Sequence, residues 1–274
     1  MMAKPRQEKL RLFPFTRRAI QAVGKEWGVF LDTLGNAVYH TGDITGFLLA
    51  GRFDFRQFIQ QLAFVGVDTL GISLIMATFS GMVISLQIAT EMVKQGAADF
   101  VGALVALAIV RELAPIMTAF SVIAMAGSAY AAELSTMQIT NQVDALKVLH
   151  VNPVRYLMMP RILAGMTALP LMTIIAAITG ILGGMLISGL VAELSYAKYL
   201  DSVWHQVDLR DIFTMLLKST LFGFIIFMMA TTIGLNASGG SREVGVATTR
   251  AVVWSFVLMA IMDYLLTYLV YGTQ

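Results

Sequence analysis

The stretch from Arg111 to Arg161 reads RELAPIMTAFSVIAMAGSAYAAELSTMQITNQVDALKVLHVNPVRYLMMPR, and the rest of the chain is organised around it. It opens with two opposite charges, Arg111 and Glu112, set in apolar sequence. Pro115 follows. Its ring carries no N–H and crowds the carbonyl four residues back, so the carbonyl it frees is that of Arg111. Small residues then accumulate (Ala124, Ala126, Gly127, Ser128, Ala129, Ala131, Ala132), a composition that lets a second helix approach closely. From Glu133 the sequence turns polar, through Thr136, Asn141, Asp144 and Lys147 to Asn152-Pro153. The expected structure is a membrane helix with a functional kink at Pro115, running into an amphipathic piece that lies in water.

Composition agrees with a membrane setting. Of 274 residues, 57% are hydrophobic and 13% charged, with a mean hydropathy of +0.75, outside the range of ordinary soluble domains. No cysteine is present, which removes disulfides, thiolate metal sites and Cys nucleophiles. The motifs of several enzyme classes are also missing. The sequence contains no GxxxxGK[ST] loop for ATP, no HExxH and no GxSxG elbow, and its three histidines (His40, His150, His205) lie far apart. Ala237-Ser238-Gly239-Gly240-Ser241 faintly resembles an ABC ATPase signature, but with no P-loop around it a cytosolic loop over 236–250 is the better reading. Neither catalytic residues nor a metal site nor a bound cofactor is expected, and nothing points to nucleic acid.

Outward from the central stretch, the chain divides into spans and polar segments. Residues 1–25 carry seven Lys or Arg against one Glu, with no following apolar core and small-residue cleavage site, so no signal peptide is expected. Between about 15 and 38, Ile20, Val23, Trp27, Phe30, Leu31, Leu34 and Val38 recur at helical steps, with Arg17, Gln21, Lys25 and Asp32 on other faces. That pattern predicts an amphipathic helix lying in the membrane interface. Residues 1–61 therefore form a cytoplasmic or interfacial segment, ending in a basic lead-in over 51–61. Residues 62–274 form the transmembrane domain. Its expected spans are 69–90, 100–132 as one long kinked helix, 162–191 with a Gly180/Gly184 helix contact, 212–235, and 251–271. Trp204 and the tyrosines of 192–211 are expected as interfacial anchors.

Counting Lys and Arg orients the spans. Fourteen fall on segments 1–61, 133–161 and 236–250, against three on 91–99 and 192–211. The positive-inside rule then puts the N-terminus in the cytoplasm and the C-terminus outside.

Four ionisable residues remain inside the spans: Arg111, Glu112, Lys218 and Asp263. At 1.5 Å per residue, Glu112, Lys218 and Asp263 lie roughly 18, 10 and 12 Å from the outer ends of their helices, near enough in depth to meet. A charge in hydrocarbon costs several kcal/mol unless paired or hydrated, so an intramembrane network is expected, with Gln87 near the outer headgroups. Such a network either fixes helix packing or serves a lipid pathway or switch, and both readings stand at this point. In the polar block, Val143, Leu146 and Leu149 form a short apolar stripe suited to docking on a cytosolic partner. A secondary transporter or channel using Glu112, Lys218 and Asp263 is the alternative, although no inverted repeat is visible among the spans.

RELAP (111–115), GSAYAAELSTM (127–137), TNQVDAL (140–146), VNPVRYLMMPR (151–161), VATTRAVVWS (246–255) and DYLLT (263–267) together closely resemble the MlaE-like family. These are the permease subunits of ABC-type lipid transporters that work with MCE-domain proteins. The likeness spans roughly residues 55–272, with one departure: the family's usual Arg, two places before the Gly of GSA, is Met125 here. The resemblance implies an ATP-driven permease for phospholipid or a related lipid, moved between the inner and outer membranes of a diderm bacterium. It further implies an inner-membrane location, a separate ABC ATPase that binds the ATP, a periplasmic MCE-domain hexamer, and often a STAS-domain protein. On that reading Glu133, Thr136, Asp144, Leu146 and Leu149 contact the ATPase. Five spans offer too little wall for a lipid-sized route with its own gate, so a homodimer enclosing a central apolar cavity is expected.

Overall fold

The computed structural model describes residues 14–49 and 54–272, all of whose regular structure is helical. The cationic run from Lys4 to Arg11, the side chains of Arg17, Arg18, Ile20, Gln21, Val23 and Lys25, and residues 50–53 of the basic lead-in lie outside what it describes. Eight helices can be followed among the described residues: α1 Pro14–Leu49, α2 Phe55–Lys94, α3 Ala98–Ile139, α4 Gln142–Val148, α5 Val154–Val191, α6 Tyr196–Gln206, α7 Leu209–Leu235 and α8 Ser241–Tyr271. Five of them, α2, α3, α5, α7 and α8, are long and apolar enough to cross a membrane.

Each crossing helix extends past the apolar run that announces it. The first span starts at Phe55, where the Asp54 carboxylate accepts from the Arg56 and Gln57 N–H groups at 3.0 and 3.3 Å. Such a cap satisfies donors that have no partner in the first turn, so the polar lead-in 55–61 is helix. At the other end of the chain, the loop expected over 236–250 contracts to 236–240. Gly239 adopts φ 128, a conformation open to glycine, and helix α8 begins at once, with Glu243 and Arg250 paired at 3.4 Å along it.

Helix α3 is one continuous helix, roughly 63 Å long at 1.5 Å per residue, interrupted by two widened π-turns at Ile109–Leu113 and Ile123–Gly127. In the first, the Ala114 N–H reaches back to Ile109 O, so the strain introduced by Pro115 is absorbed as an extra residue in one turn.

Glycines set the helix spacing. A Cβ added at Gly81 of α2 would stand 2.1 Å from the Gly180 carbonyl oxygen of α5. Only a residue without a side chain lets those backbones approach so closely. Gly183 faces Thr78 O, and Gly184 faces Val105 and Tyr199, in the same way. Ser85 seals the crossing by donating to Gly184 O at 2.7 Å. Helix α7 is the centre of the bundle, with Phe222, Ile226 and Phe227 fully buried. Gly223 lies against the Gly165 backbone of α5, and Gly234 against Ala131 and Leu134 of α3.

Helix α1 lies along the bundle and does not simply separate polar from apolar. Phe30, Thr33, Ala37 and Ile44 are buried, and Phe30 stacks on Trp254 of α8 at 3.9 Å between ring centroids. Leu31, Val38 and Tyr39 face outward, each more than 60% exposed. Helix α6 crosses the start of α3. Trp204 and Tyr196 of α6 are exposed, but Tyr199, expected among the anchors, is fully buried and donates to Ile181 O at 3.3 Å. Burial pushes its phenol above the usual tyrosine range.

Candidate functional site: a charge cluster inside the bundle

The π-turn at Ile109–Leu113 presents two charged residues and an unpaired carbonyl at the middle of the bundle. Lys218 of α7 answers the Glu112 carboxylate and the Arg111 carbonyl. Its ammonium, completely buried, donates to Arg111 O at 3.0 Å, Glu112 Oε2 at 2.8 Å and Thr267 Oγ1 at 2.7 Å. Arg111 O is the carbonyl that Pro115 leaves without its helical donor. A lysine has three N–H groups, and these bonds use them. Asp263 Oδ1 lies 2.9 Å from the same nitrogen but has no hydrogen bond of proper geometry, so it holds the cation by charge alone. The Thr267 hydroxyl in turn donates a hydrogen bond to Glu112 Oε1 at 2.9 Å. Asp263 and Thr267, four residues apart, share one face of α8.

The Arg111 side chain turns away from Glu112 toward the α6 end of the bundle. Its Nε donates to Asp211 Oδ1 at 2.8 Å, and the guanidinium sits 4.3 Å from the centroid of the Tyr271 ring. Tyr271 also donates to Asp211 Oδ1, at 2.8 Å, and Arg210 donates to Val270 O. Asp211 is held by the start of α7, where it and Asp208 exchange side-chain-to-backbone bonds in a capping box. The two cations Arg111 and Lys218 face three carboxylates, and Arg210 beside Tyr271 brings the formal sum to zero.

Of the residues expected at the site, Glu112, Lys218 and Asp263 stand in mutual contact, while Arg111 contributes its carbonyl there and its side chain elsewhere. Gln87 is exposed on α2 and makes no hydrogen bond to the cluster. Asp211, Thr267 and Tyr271 are additions. Asp211 lies in the polar segment 192–211, where the Asp208-x-x-Asp211 spacing before an apolar run is the helix-start signal that places it on α7. Asp263, Thr267 and Tyr271 recur every four residues, a spacing that marks one helix face. Met125 sits in the second π-turn and is 39% exposed.

The polar block at the opposite end folds as a hairpin. Asn141 and His150, both near φ 58, turn the chain on either side of α4, and the Asn152 side chain caps α5 through the Val154 N–H at 2.9 Å. Val143 packs with Leu134 and Leu157, and Leu146 lies partly buried against them. Leu149 is 71% exposed beside Val148 at 77%. The expected stripe thus divides: Val143 and Leu146 hold α4 to the bundle, and Leu149 faces out. Thr136 and Asp144 are exposed, Asp144 paired with Lys147 at 2.8 Å. Glu133 pairs with Arg161 at 2.8 Å.

A polytopic helical membrane protein with a buried, balanced charge cluster is the class this architecture defines. Comparison with known proteins narrows it. The model of the family described as Permease MlaE matches residues 58–269, and the chain belongs to that family. It is 37% identical over 243 residues to the probable ABC transporter permease protein slr1045 of Synechocystis, covering 89% of this chain and 92% of that one. It is 32% identical over 246 residues to a probable ABC transporter permease protein of Rickettsia felis, covering 90% and 95%. It is also 37% identical over 226 residues to the chloroplastic protein TRIGALACTOSYLDIACYLGLYCEROL 1 of Arabidopsis thaliana, covering 82% of this chain and 65% of that one.

Proposed function

We propose that this permease is the membrane subunit of an ATP-driven transporter that moves phospholipid or a related lipid between the inner and outer membranes of a bacterium. It does so with a periplasmic MCE-domain protein and often a STAS-domain protein, while a separate ABC ATPase binds and hydrolyses the ATP. The observation that carries the reading is a relative sharing 37% identity whose name is that of a galactolipid. The intramembrane site fits such cargo. Glu112, near the middle of a membrane helix, keeps 34% of its side chain exposed, a costly state against lipid tails. A second copy of the chain, closing a central cavity over that face, would cover it. A lateral groove of about 640 Å3, lined by Val110, Ile174, Ile178, Val203, Ile212 and Met215, offers apolar wall beside Arg111.

Three experiments test this reading. Purification in mild detergent followed by mass spectrometry should find an ATPase subunit and phospholipid with the permease. Lipid movement that persists without the ATPase and follows a proton gradient would replace the proposal by secondary transport. The docking face is tested by Leu149→Asp, which places a carboxylate on the exposed apolar end of α4. The ATPase should be lost on purification while permease abundance holds, and unchanged co-purification would move the contact off α4.

Topology is tested separately. Five crossings put the two ends of the domain on opposite sides, and α1 lies in the inner interface. Reporter fusions at Gln274 and within 196–206 should both report the outside. A cytoplasmic Gln274 would mean that one of the five helices does not cross.

A further inference from the structure

A second charged group lies at the α4 end of the bundle, separate from the Lys218 cluster. Arg161, in the first turns of α5, is only 5% exposed. Its guanidinium donates to Glu133 Oε1 of α3 at 2.8 Å and to Leu157 O at 3.3 Å, and lies 4.9 Å from the centroid of the Tyr130 ring. Tyr130 donates in turn to Gln61 Oε1 of α2. Three membrane helices are thereby joined by one arginine and one tyrosine. A buried guanidinium held by a carboxylate and an aromatic face is among the stiffer side-chain contacts a protein makes.

The place of this group in the chain gives it meaning. Glu133 and Arg161 stand on the two legs of the hairpin that carries α4. Between them the hairpin has its own apolar anchor, Val143 against Leu134 and Leu157. The contacts that run from α4 to the bundle thus include a link between α3 and α5 through Glu133 and Arg161, and one to α2 through Tyr130 and Gln61.

We infer that Glu133, Arg161, Tyr130 and Gln61 are positioning residues that make the hairpin and the three helices below it move as one lever. They would thus set how much lipid is moved per ATP hydrolysed. This rests on the function proposed above and assigns Glu133 a role distinct from touching the ATPase. Glu133 Oε1 is held by Arg161 within the chain, although half of the Glu133 side chain is exposed.

The test uses the whole complex, permease with its co-purified ATPase, in vesicles of phosphatidylethanolamine and phosphatidylglycerol carrying a fluorescent phospholipid. Lipid transferred and ATP hydrolysed are measured on the same sample for wild type, Glu133→Gln, Arg161→Lys and Tyr130→Phe. The ATPase should remain bound and hydrolysis should persist in each variant, while lipid moved per ATP falls about tenfold, the usual scale of coupling between sites. The Glu133→Gln, Arg161→Lys double variant should fall no further than either single, because both changes open the same contact. An unchanged ratio in well-folded variants overturns the lever, as does a matched fall of hydrolysis and transport, which would mark a docking or purely structural role. Should the charge variants fold poorly, Tyr130→Phe removes only the hydroxyl bonded to Gln61 and decides alone. Wild-type complex that moves no lipid would instead sink the proposed function.

Discussion

Lys218→Ala is expected to deprive the middle of the bundle of the one cation that four groups share. Arg111 O, Glu112, Thr267 and Asp263 all lie within 3.0 Å of the Lys218 nitrogen, and none of them can donate in its place except the threonine. Stranding one side of a buried ion pair costs about 3–5 kcal/mol, a large part of the margin on which folded proteins stand. A stranded carboxylate can escape part of that cost by taking up a proton. The single variant should accumulate poorly and transport little. Adding Asp263→Asn removes a stranded carboxylate, one whose Oδ1 makes no hydrogen bond, while nearly keeping its shape, so abundance should return. Transport in the double variant then separates the two roles of the cluster. If it returns with abundance, the charges hold helices α3, α7 and α8 together. If abundance alone returns, they handle substrate or a switch. Full abundance and transport in Lys218→Ala would dismiss the cluster as a determinant of either.

The second large effect belongs to Gly81→Ala. Alanine is intrinsically the better helix residue by about 1 kcal/mol, so propensity alone forecasts a gain. The crossing with α5 forecasts the reverse. The new methyl group would stand 2.1 Å from Gly180 O, 2.7 Å from its carbonyl carbon and 2.9 Å from its Cα. All three are backbone atoms, with no rotamer to yield. Helices α2 and α5 must separate, and Ser85 would lose its bond to Gly184 O. Overpacking typically costs about 1–3 kcal/mol and more where backbone must move. A clear drop in melting temperature in detergent is therefore expected, while Gly71→Ala, with no atom within 4 Å of the added carbon, should leave it equal or higher. Equal melting of Gly81→Ala and wild type would show that the contact is slack enough to yield.

These two predictions draw on different depths of information. The existence of five spans, the placing of ionisable residues within them, and the release of the Arg111 carbonyl by Pro115 were all legible in the sequence, because each is a local property. An apolar run of about 20 residues reports transfer into hydrocarbon whatever it packs against, and proline lacks its N–H in every context. The short helix between polar turns at 142–148 was legible for a similar reason, since its apolar residues recur at helical steps.

Where the helices end was less legible. Hydropathy loses the signal where a helix leaves lipid and continues in water, so α2 begins at Phe55 and α8 at Ser241, both in sequence too polar to announce a span. Partners were legible only in part: depth along the helices brings Glu112, Lys218 and Asp263 together, but it names no partner for Arg111. Asp211 reaches Arg111, Lys218 reaches the freed carbonyl, and Leu146 rather than Leu149 turns inward, because each helix is rotated to one particular setting. That rotation is decided by close backbone approaches between residues about 60–100 positions apart, Gly81 on Gly180 and Gly223 on Gly165. Composition determined that this chain would put five helices and their charges into a membrane. Only tertiary packing decided that Arg111 would turn to Asp211 and Lys218 to the Arg111 carbonyl, since those choices depend on helix rotations that depth and local pattern do not encode.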